Sequence, residues 1–423
     1  MAWLTTAFLA ALILRLAVES WLSARQVAYV RMHREHVPPS FAAAVSAADH
    51  AKAADYTAAR QRLGMLEAAF DSALLLVLTL GGGIARLGEL AYRWFDNPLL
   101  QGTAHVLAVM GVLAALSIPF SAYRTFVLEE RFSFNRTTIR MFLSDLLKGG
   151  ILSLLLGGVV IAVVLAIMSS ADRAWWLIAW FAWLTFSLVV TWAWPRFIAP
   201  LFNKFTPLAI GELRSRIDAL LSRCGFEADS IYVMDGSRRS AHGNAYFTGL
   251  GRHKRIVLFD TLLSSLTPVQ AEAVLAHELA HFKLRHVPQR LLATALMTFA
   301  GFALLGWLAG QPWFYASLGV PEASDAAALL LFVLVTPVFT WVISPALAAW
   351  SRRHEFQADA FAAEHSDASG LAEALVALYR DNASTLTPDP IYSAFYDSHP
   401  PPARRVARLE SWRAAQLARP AEA

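Results

Sequence analysis

Only one cysteine, Cys224, occurs in 423 residues. A single thiol excludes an intramolecular disulfide and any metal site built on paired cysteines, so a bound metal needs histidine and carboxylate ligands. Charge is scarce as well. Asp, Glu, Lys and Arg make up 16% of the chain against 57% hydrophobic residues, where soluble domains carry roughly 25% and 45–50%. That balance excludes a disordered chain and assigns the apolar surplus to a lipid bilayer rather than to several soluble domains. A formal charge of only +4 is too small to argue for nucleic acid, and no such partner is expected. No internal repeat is present, and a mild alanine bias marks residues 43–59 as a flexible or helical surface loop.

What the sequence does have is long apolar runs. A spanning helix needs about 20 such residues to cross about 30 Å of hydrocarbon. Seven stretches qualify, near residues 3–22, 70–91, 106–123, 151–168, 175–194, 291–308 and 326–347. Ionisable groups inside them are costly and should face the bundle interior, water or each other. Arg15 and Glu19, one helical turn apart, can pair, as can Arg86 and Glu89. The first run lacks a basic leader and a small-residue cleavage site, which reads as a retained helix.

The loops alternate in charge. Arg and Lys crowd the segments after runs one, three and five, whereas residues 311–325, between runs six and seven, hold neither. The positive-inside rule then puts the N-terminus outside and the large polar blocks in the cytoplasm. Four regions follow: 1–196, a membrane region with five spans; 197–290, a cytoplasmic catalytic region; 291–350, spans six and seven; and 351–423, a C-terminal catalytic region.

The strongest chemical signal is His277-Glu278-Leu279-Ala280-His281. Thr267 as N-cap, Pro268 in the first turn and Gln270 closing a capping box start a helix just before it. Its apolar residues fill most other faces, so the helix should be buried. Positions i and i+4 share a face, so both imidazoles can converge on one zinc ion, with Glu278 beside it as a base rather than a ligand. Two histidines leave the metal short of a ligand. An extended HExxHxxGxxH reading fails at Leu284 and Val287, and His286, one residue out of register, is expected at the surface. Glu355 can close the site, with Asp359 one turn on accepting the free ring N–H of a ligand histidine. Glu364, Glu373 and Glu410 are rivals in less apolar settings, and Glu355 also reads as a surface partner of Arg352 or Arg353.

Residues 231–234, 244–250 and 255–259 are β-branched or aromatic runs between turns, suggesting a small sheet. Its edge near Asn244, Ala245, Tyr246 and Phe247 can hold an extended peptide by strand addition. Asn244 then bonds the peptide backbone, or else serves a turn.

The ordered set Arg239 to Gly249, Lys254 to Leu263, His277 to His281, Glu355 to Asp359 and Ser398-His399-Pro400-Pro401 resembles the zinc-dependent type I CAAX prenyl proteases, and Pro119 to Asn135 is similar to that family's membrane region. The resemblance covers nearly the whole chain. It implies a mainly α, multi-pass membrane protein with about seven transmembrane helices around a water-filled chamber, plus a small zincin-like α/β catalytic region. It further implies one zinc ion per chain, a peptide or protein substrate carrying a C-terminal prenylated cysteine motif, and removal of that motif's last three residues. His399 and Arg405, the latter where the family carries arginine, would stabilise the oxyanion and orient the site or a substrate carboxylate; both also read as surface groups of a Pro-rich turn. Pro402, Ala403 and Arg404 depart from the family's usual apolar residues and acid. Tyr246, Tyr392 and Tyr396 are further donors or core aromatics. Composition suggests a bacterial member, in the inner membrane. Two alternatives stand beside this reading: a protease clearing damaged membrane proteins, and a seven-helix transporter or receptor with structural zinc. An open three-ligand site beside Glu278 argues against the last.

Overall fold

The computed structural model describes residues 2–170, 173–226, 230–248 and 255–417. Gly249, Leu250 and Lys254 of the sheet motif lie outside them. The membrane half opens with α1 (Ala2–Met32), α2 (Ala47–Leu78), α3 (Gly83–Trp94), α4 (Pro98–Tyr123), α5 (Ile139–Ser170) and α6 (Trp175–Ala193). The catalytic half begins with β1 (Phe205–Pro207), α7 (Glu212–Arg223), β2 (Ser230–Met234), β3 (Ala245–Thr248), β4 (Arg255–Phe259), α8 (Asp260–Ser265) and α9 (Pro268–Lys283). The chain returns to the membrane with α10 (His286–Leu308), α11 (Pro312–Ser317) and α12 (Asp325–Thr340). It finishes with α13 (Ser344–His365), α14 (Ala368–Asp381), α15 (Pro390–Tyr396) and α16 (Pro402–Leu417).

Among the described residues six helices, α12 and α13 counting as one through a short 3-10 joint at Trp341–Ile343, are long and apolar enough to span a bilayer; α2 with α3 makes a seventh if that bent pair is one span. Large apolar side chains such as Leu147, Leu155 and Leu292 stay exposed on them, as lipid-facing residues do. The second span departs from the expected straight run. It is bent by 58° between α2 and α3, because Gly82 adopts φ +74 and a Cβ at Gly81 would lie 2.6 Å from the Val77 carbonyl oxygen. The helix also starts far earlier than the hydropathy suggests. From Ala47 onward the supposed surface loop is the first part of α2, with Ala53, Ala54, Tyr56 and Ala58 buried. Arg15 does pair with Glu19, at 2.9 Å; among the described residues, no such pair joins Arg86 and Glu89.

The bend is covered from above by the turn after α11. Gly319 has φ +79, and a Cβ there would fall 2.4 Å from the Thr79 carbonyl oxygen. Gly319→Ala is therefore expected to destabilise the protein by at least about 1–2 kcal/mol, the left-handed backbone alone accounting for that much. Thermal unfolding in detergent reads this, and an unchanged midpoint would show that the turn can draw back.

In the catalytic half the sheet order is β1-β2-β4-β3, with β2 and β4 parallel and β3 antiparallel to β4. The three anticipated strands are present, and β1 adds a fourth. Strand β3 is an edge. Its Phe247 packs against Phe226 and Phe282 on the core side, and α9 runs beneath with Leu275, Ala276, Leu279 and Ala280 fully buried. Polar cavities join the halves. One of about 570 Å³ is lined by Glu19, Tyr56, Arg60, Arg124, Glu129 and His242; another of about 390 Å³ shares Tyr56 and Arg60 and reaches His399.

Candidate metal centre and peptide cleft

The capping box at the start of α9 is complete: the Thr267 Oγ1 accepts from Gln270 N and the Gln270 Oε1 accepts from Thr267 N. Two turns on, the same helix carries His277, Glu278 and His281 in an otherwise apolar environment, so these groups need partners. Helix α13 provides one. Glu355 is 3% exposed; its Oε2 lies 3.4 Å from His277 Nε2, and its Oε1 lies 3.5 Å from His281 Nε2. One potential ligand atom from each residue lies within 4.8 Å of the others, and among the described residues no other trio of His, Cys, Asp or Glu does so. Glu373, one of the rivals, instead accepts a hydrogen bond from Gln270.

The donor set fits a metal. Glu355 Oε2 is buried and has no hydrogen-bond partner, a costly state for a carboxylate oxygen unless a cation completes it. Two imidazole nitrogens and one carboxylate are the ligands of an open, catalytic zinc site. Glu278 is placed beside this trio, and burial pushes its carboxyl above the usual range, which favours holding a proton during reaction. Burial also works against charge on both imidazoles. At His277 the neighbouring Asp359 and Glu355 carboxylates reverse this and raise it to about 9; at His281 burial and the nearby His277 lower it to about 3.

Behind His277 lies a charged relay. Its Nδ1 is 2.9 Å from Asp359 Oδ1, and Arg405 forks onto the same carboxylate, Nε donating to Oδ2 at 2.9 Å and Nη2 to Oδ1. Arg405 is 4% exposed, its guanidinium bonded to Asp359 and held 4.0 Å from Glu355. Burial opposes its charge, and Asp359 more than restores it. His399 differs: its side chain is 62% exposed, with Nε2 3.3 Å from Glu355 Oε2 and Nδ1 3.1 Å from Ser398 Oγ.

A cleft of about 290 Å³ runs past these groups and is lined by Asn244, Ala245, His277, Glu278, His399 and Arg405, among others. The Asn244 Oδ1 accepts from Ala245 N, and among the described residues no partner occupies its amide nitrogen. Tyr246 and Phe247 do not line the cleft; Tyr246 packs against Phe259 and Phe247 into the core. Tyr392 accepts from Gln61 and packs at a tilt against Tyr396, and both line the cavities of about 570 and 390 Å³.

Three features escaped the sequence reading. Asn382, capping α14, accepts from Gly243 N and so pins the segment leading into β3. Tyr379 lines the cleft with a buried hydroxyl that has no partner among the described residues; neither residue belongs to a spacing pattern that single-sequence reading detects. His286, expected at the surface, is 1% exposed, with Nδ1 3.1 Å from His281 Nδ1. The turn after α9 folds it inward, since Arg285 adopts φ 59.

Comparisons with known proteins cover both halves. Residues 26–204 match the family described as CAAX prenyl protease N-terminal, five membrane helices, and residues 207–413 match peptidase family M48. A CAAX prenyl protease 1 homolog of Arabidopsis thaliana is 37% identical over 316 residues, 74% of each chain. CAAX prenyl protease 1 of Saccharomyces cerevisiae is 32% identical over 426 residues, 94% of this chain and 93% of that one. The crystal structure of S. mikatae Ste24p shares the fold with a TM-score of 0.89 at 30% identity, covering 97% of this chain and 99% of that one. With a buried His, His, Glu trio on the one side and these matches on the other, the transporter reading falls away, and the chain belongs to peptidase family M48 as a multi-pass membrane metalloprotease with the N-terminal region of the CAAX prenyl proteases.

Proposed function

We propose that the protein is a zinc endopeptidase that trims prenylated CAAX-type C-termini, with His277, His281 and Glu355 holding one zinc ion. The observation that carries the reading is the convergence of those three ligand atoms, with Glu278 alongside, in a cleft that passes the free edge of β3. A bound zinc ion supplies a Lewis acid for the scissile carbonyl and lowers the pKa of its water. Glu278 accepts the proton from the attacking water and delivers it to the leaving amine. Asp359, braced by Arg405, accepts from His277 Nδ1 and so keeps Nε2 free to ligate. His399, at the open side of the cleft, donates to the developing oxyanion. The peptide lies extended along β3, with the Asn244 amide bonding its backbone.

Main-chain contacts of this kind are indifferent to side chains, so selectivity comes from elsewhere, and an isoprenoid taken up among the spans is worth about 0.8 kcal/mol per buried methylene-sized group. Matched prenylated and unprenylated peptides, assayed with the detergent-purified protein, test this: the prenylated one is expected to be cut faster, with residual cleavage of the other. Equal specificity constants, together with ready degradation of unfolded membrane proteins, would replace the processing role with quality control.

The orientation proposed, N-terminus outside and zinc helix in the cytoplasm, rests on the alternation of Lys and Arg along the loops; the expected setting is a bacterial inner membrane. Single cysteines in a Cys224→Ala background test it. One at Glu322, exposed before α12, should label from outside intact cells, and one at Arg238, exposed near the catalytic sheet, only after permeabilisation. The reverse pattern would put the active site outside.

A further inference from the structure

His286 opens α10 five residues after His281, and the chain reaches it through an unusual turn. Arg285, not glycine, takes the left-handed conformation at φ 59, a strain of about 1–2 kcal/mol for an L-residue. Backbone strain of this kind is retained where the surrounding structure over-determines it. What the turn achieves is to swing the His286 ring back over α9, leaving it 1% exposed and 3.1 Å, Nδ1 to Nδ1, from His281. Its other nitrogen, Nε2, is 3.0 Å from Gln357 Oε1 on α13. Its face is stacked on His354, with ring centroids 4.0 Å apart and planes within 6°, and His354 Nε2 is in turn 3.1 Å from Gln289 Oε1.

We propose that His286 is the positioning residue of the metal ligand His281, acting as a neutral acceptor; this rests on the zinc reading above. Proton counting allows one arrangement. A histidine that ligates through Nε2 carries its proton on Nδ1, so His281 donates from Nδ1. His286 must then be bare at Nδ1 and protonated at Nε2, where the Gln357 carbonyl oxygen accepts. The stack on His354 fixes the plane of the ring, so the lone pair on Nδ1 is aimed at His281 and not merely near it. The two ligand imidazoles are thus held differently. His277 has an anionic partner, Asp359, forked by Arg405, whereas His281 has an uncharged one. A second carboxylate here would add another buried negative charge beside Glu355 and Glu278, and a neutral imidazole orients the ligand without doing so.

The test is zinc affinity of the full-length protein in detergent, by competition with a chelator, together with the absorption spectrum of the cobalt(II)-substituted form. His286→Phe keeps a flat ring for the stack and removes the acceptor; it is expected to weaken zinc binding about 10- to 100-fold and to shift the cobalt bands. His286→Gln returns an acceptor and is expected to restore affinity to within a few-fold. If the phenylalanine variant does not fold, Gln357→Leu removes only the end of the relay, from an exposed position, and should weaken zinc binding several-fold. Wild-type affinity in the phenylalanine or leucine variant would overturn the proposal, as would equal losses with phenylalanine and glutamine. A wild-type protein that takes up no zinc would overturn the metal reading itself, a result distinct from zinc uptake that ignores His286.

Discussion

Glu278→Gln should leave about one zinc per chain in place and cut peptide hydrolysis by about 10²- to 10⁴-fold, the range that a positioned general base contributes. The substitution keeps the side chain's volume and its hydrogen-bonding ends on a helix whose other faces are buried, so the fold and the three ligands persist. What it removes is the group able to take a proton, and burial has already shifted that group toward holding one. His277→Ala, His281→Ala and Glu355→Ala should fail differently, by losing the metal. Metal analysis and hydrolysis measured on the same preparations separate the two failures. Undiminished hydrolysis in the glutamine variant would remove Glu278 from the mechanism.

Arg405→Met should be the most destabilising single change near the site. Arg405 is 4% exposed and forked on Asp359, which is 2% exposed. Deleting one partner of a buried ion pair leaves the other desolvated and uncompensated, at about 3–5 kcal/mol, against a total stability of about 5–15 kcal/mol for a typical domain. Arg405→Lys keeps the charge but cannot grip both carboxylate oxygens, so it should recover part of the loss. Adding Asp359→Asn to Arg405→Met should cost less than the sum of the two single changes, because the second removes the charge that the first stranded. Thermal unfolding in detergent reads all four variants. A methionine variant as stable as wild type would show that water reaches Asp359 and that the relay is not dry.

These residues also show where sequence reading succeeds and where it stops. The spans were legible because crossing hydrocarbon demands about 20 apolar residues in a row, a requirement no local context relaxes. The start of α9 was legible for a similar reason: Thr267, Pro268 and Gln270 act on their own neighbours, and capping is settled within one turn. The bend between α2 and α3 was not, since hydropathy averages straight through Thr79 to Gly83, and only the φ of Gly82 and the backbone pressed on Gly319 reveal it. His286 was misplaced because a periodic count from His281 assumes a continuing helix, and Arg285 ends that helix without the glycine that usually announces such a turn. Arg405 could be singled out only through its resemblance to relatives. Its fork on Asp359 joins residues 46 apart in sequence, and no spacing rule links α13 to α16.

The helix that crosses the bilayer last continues, through Trp341–Ile343, into the helix that bears Glu355. Glu355 lies eleven residues beyond Ser344, about 16 Å along the axis at 1.5 Å per residue. A change of about 5° in the inclination of that rod would carry its carboxylate about 1.4 Å sideways, nearly three times the roughly 0.5 Å within which catalytic groups must be held. Helix inclination in turn answers to the thickness of the surrounding lipid. The bilayer is thus more than an anchor for this enzyme: it bears on the long arm of a lever whose short arm ends at the buried carboxylate of Glu355.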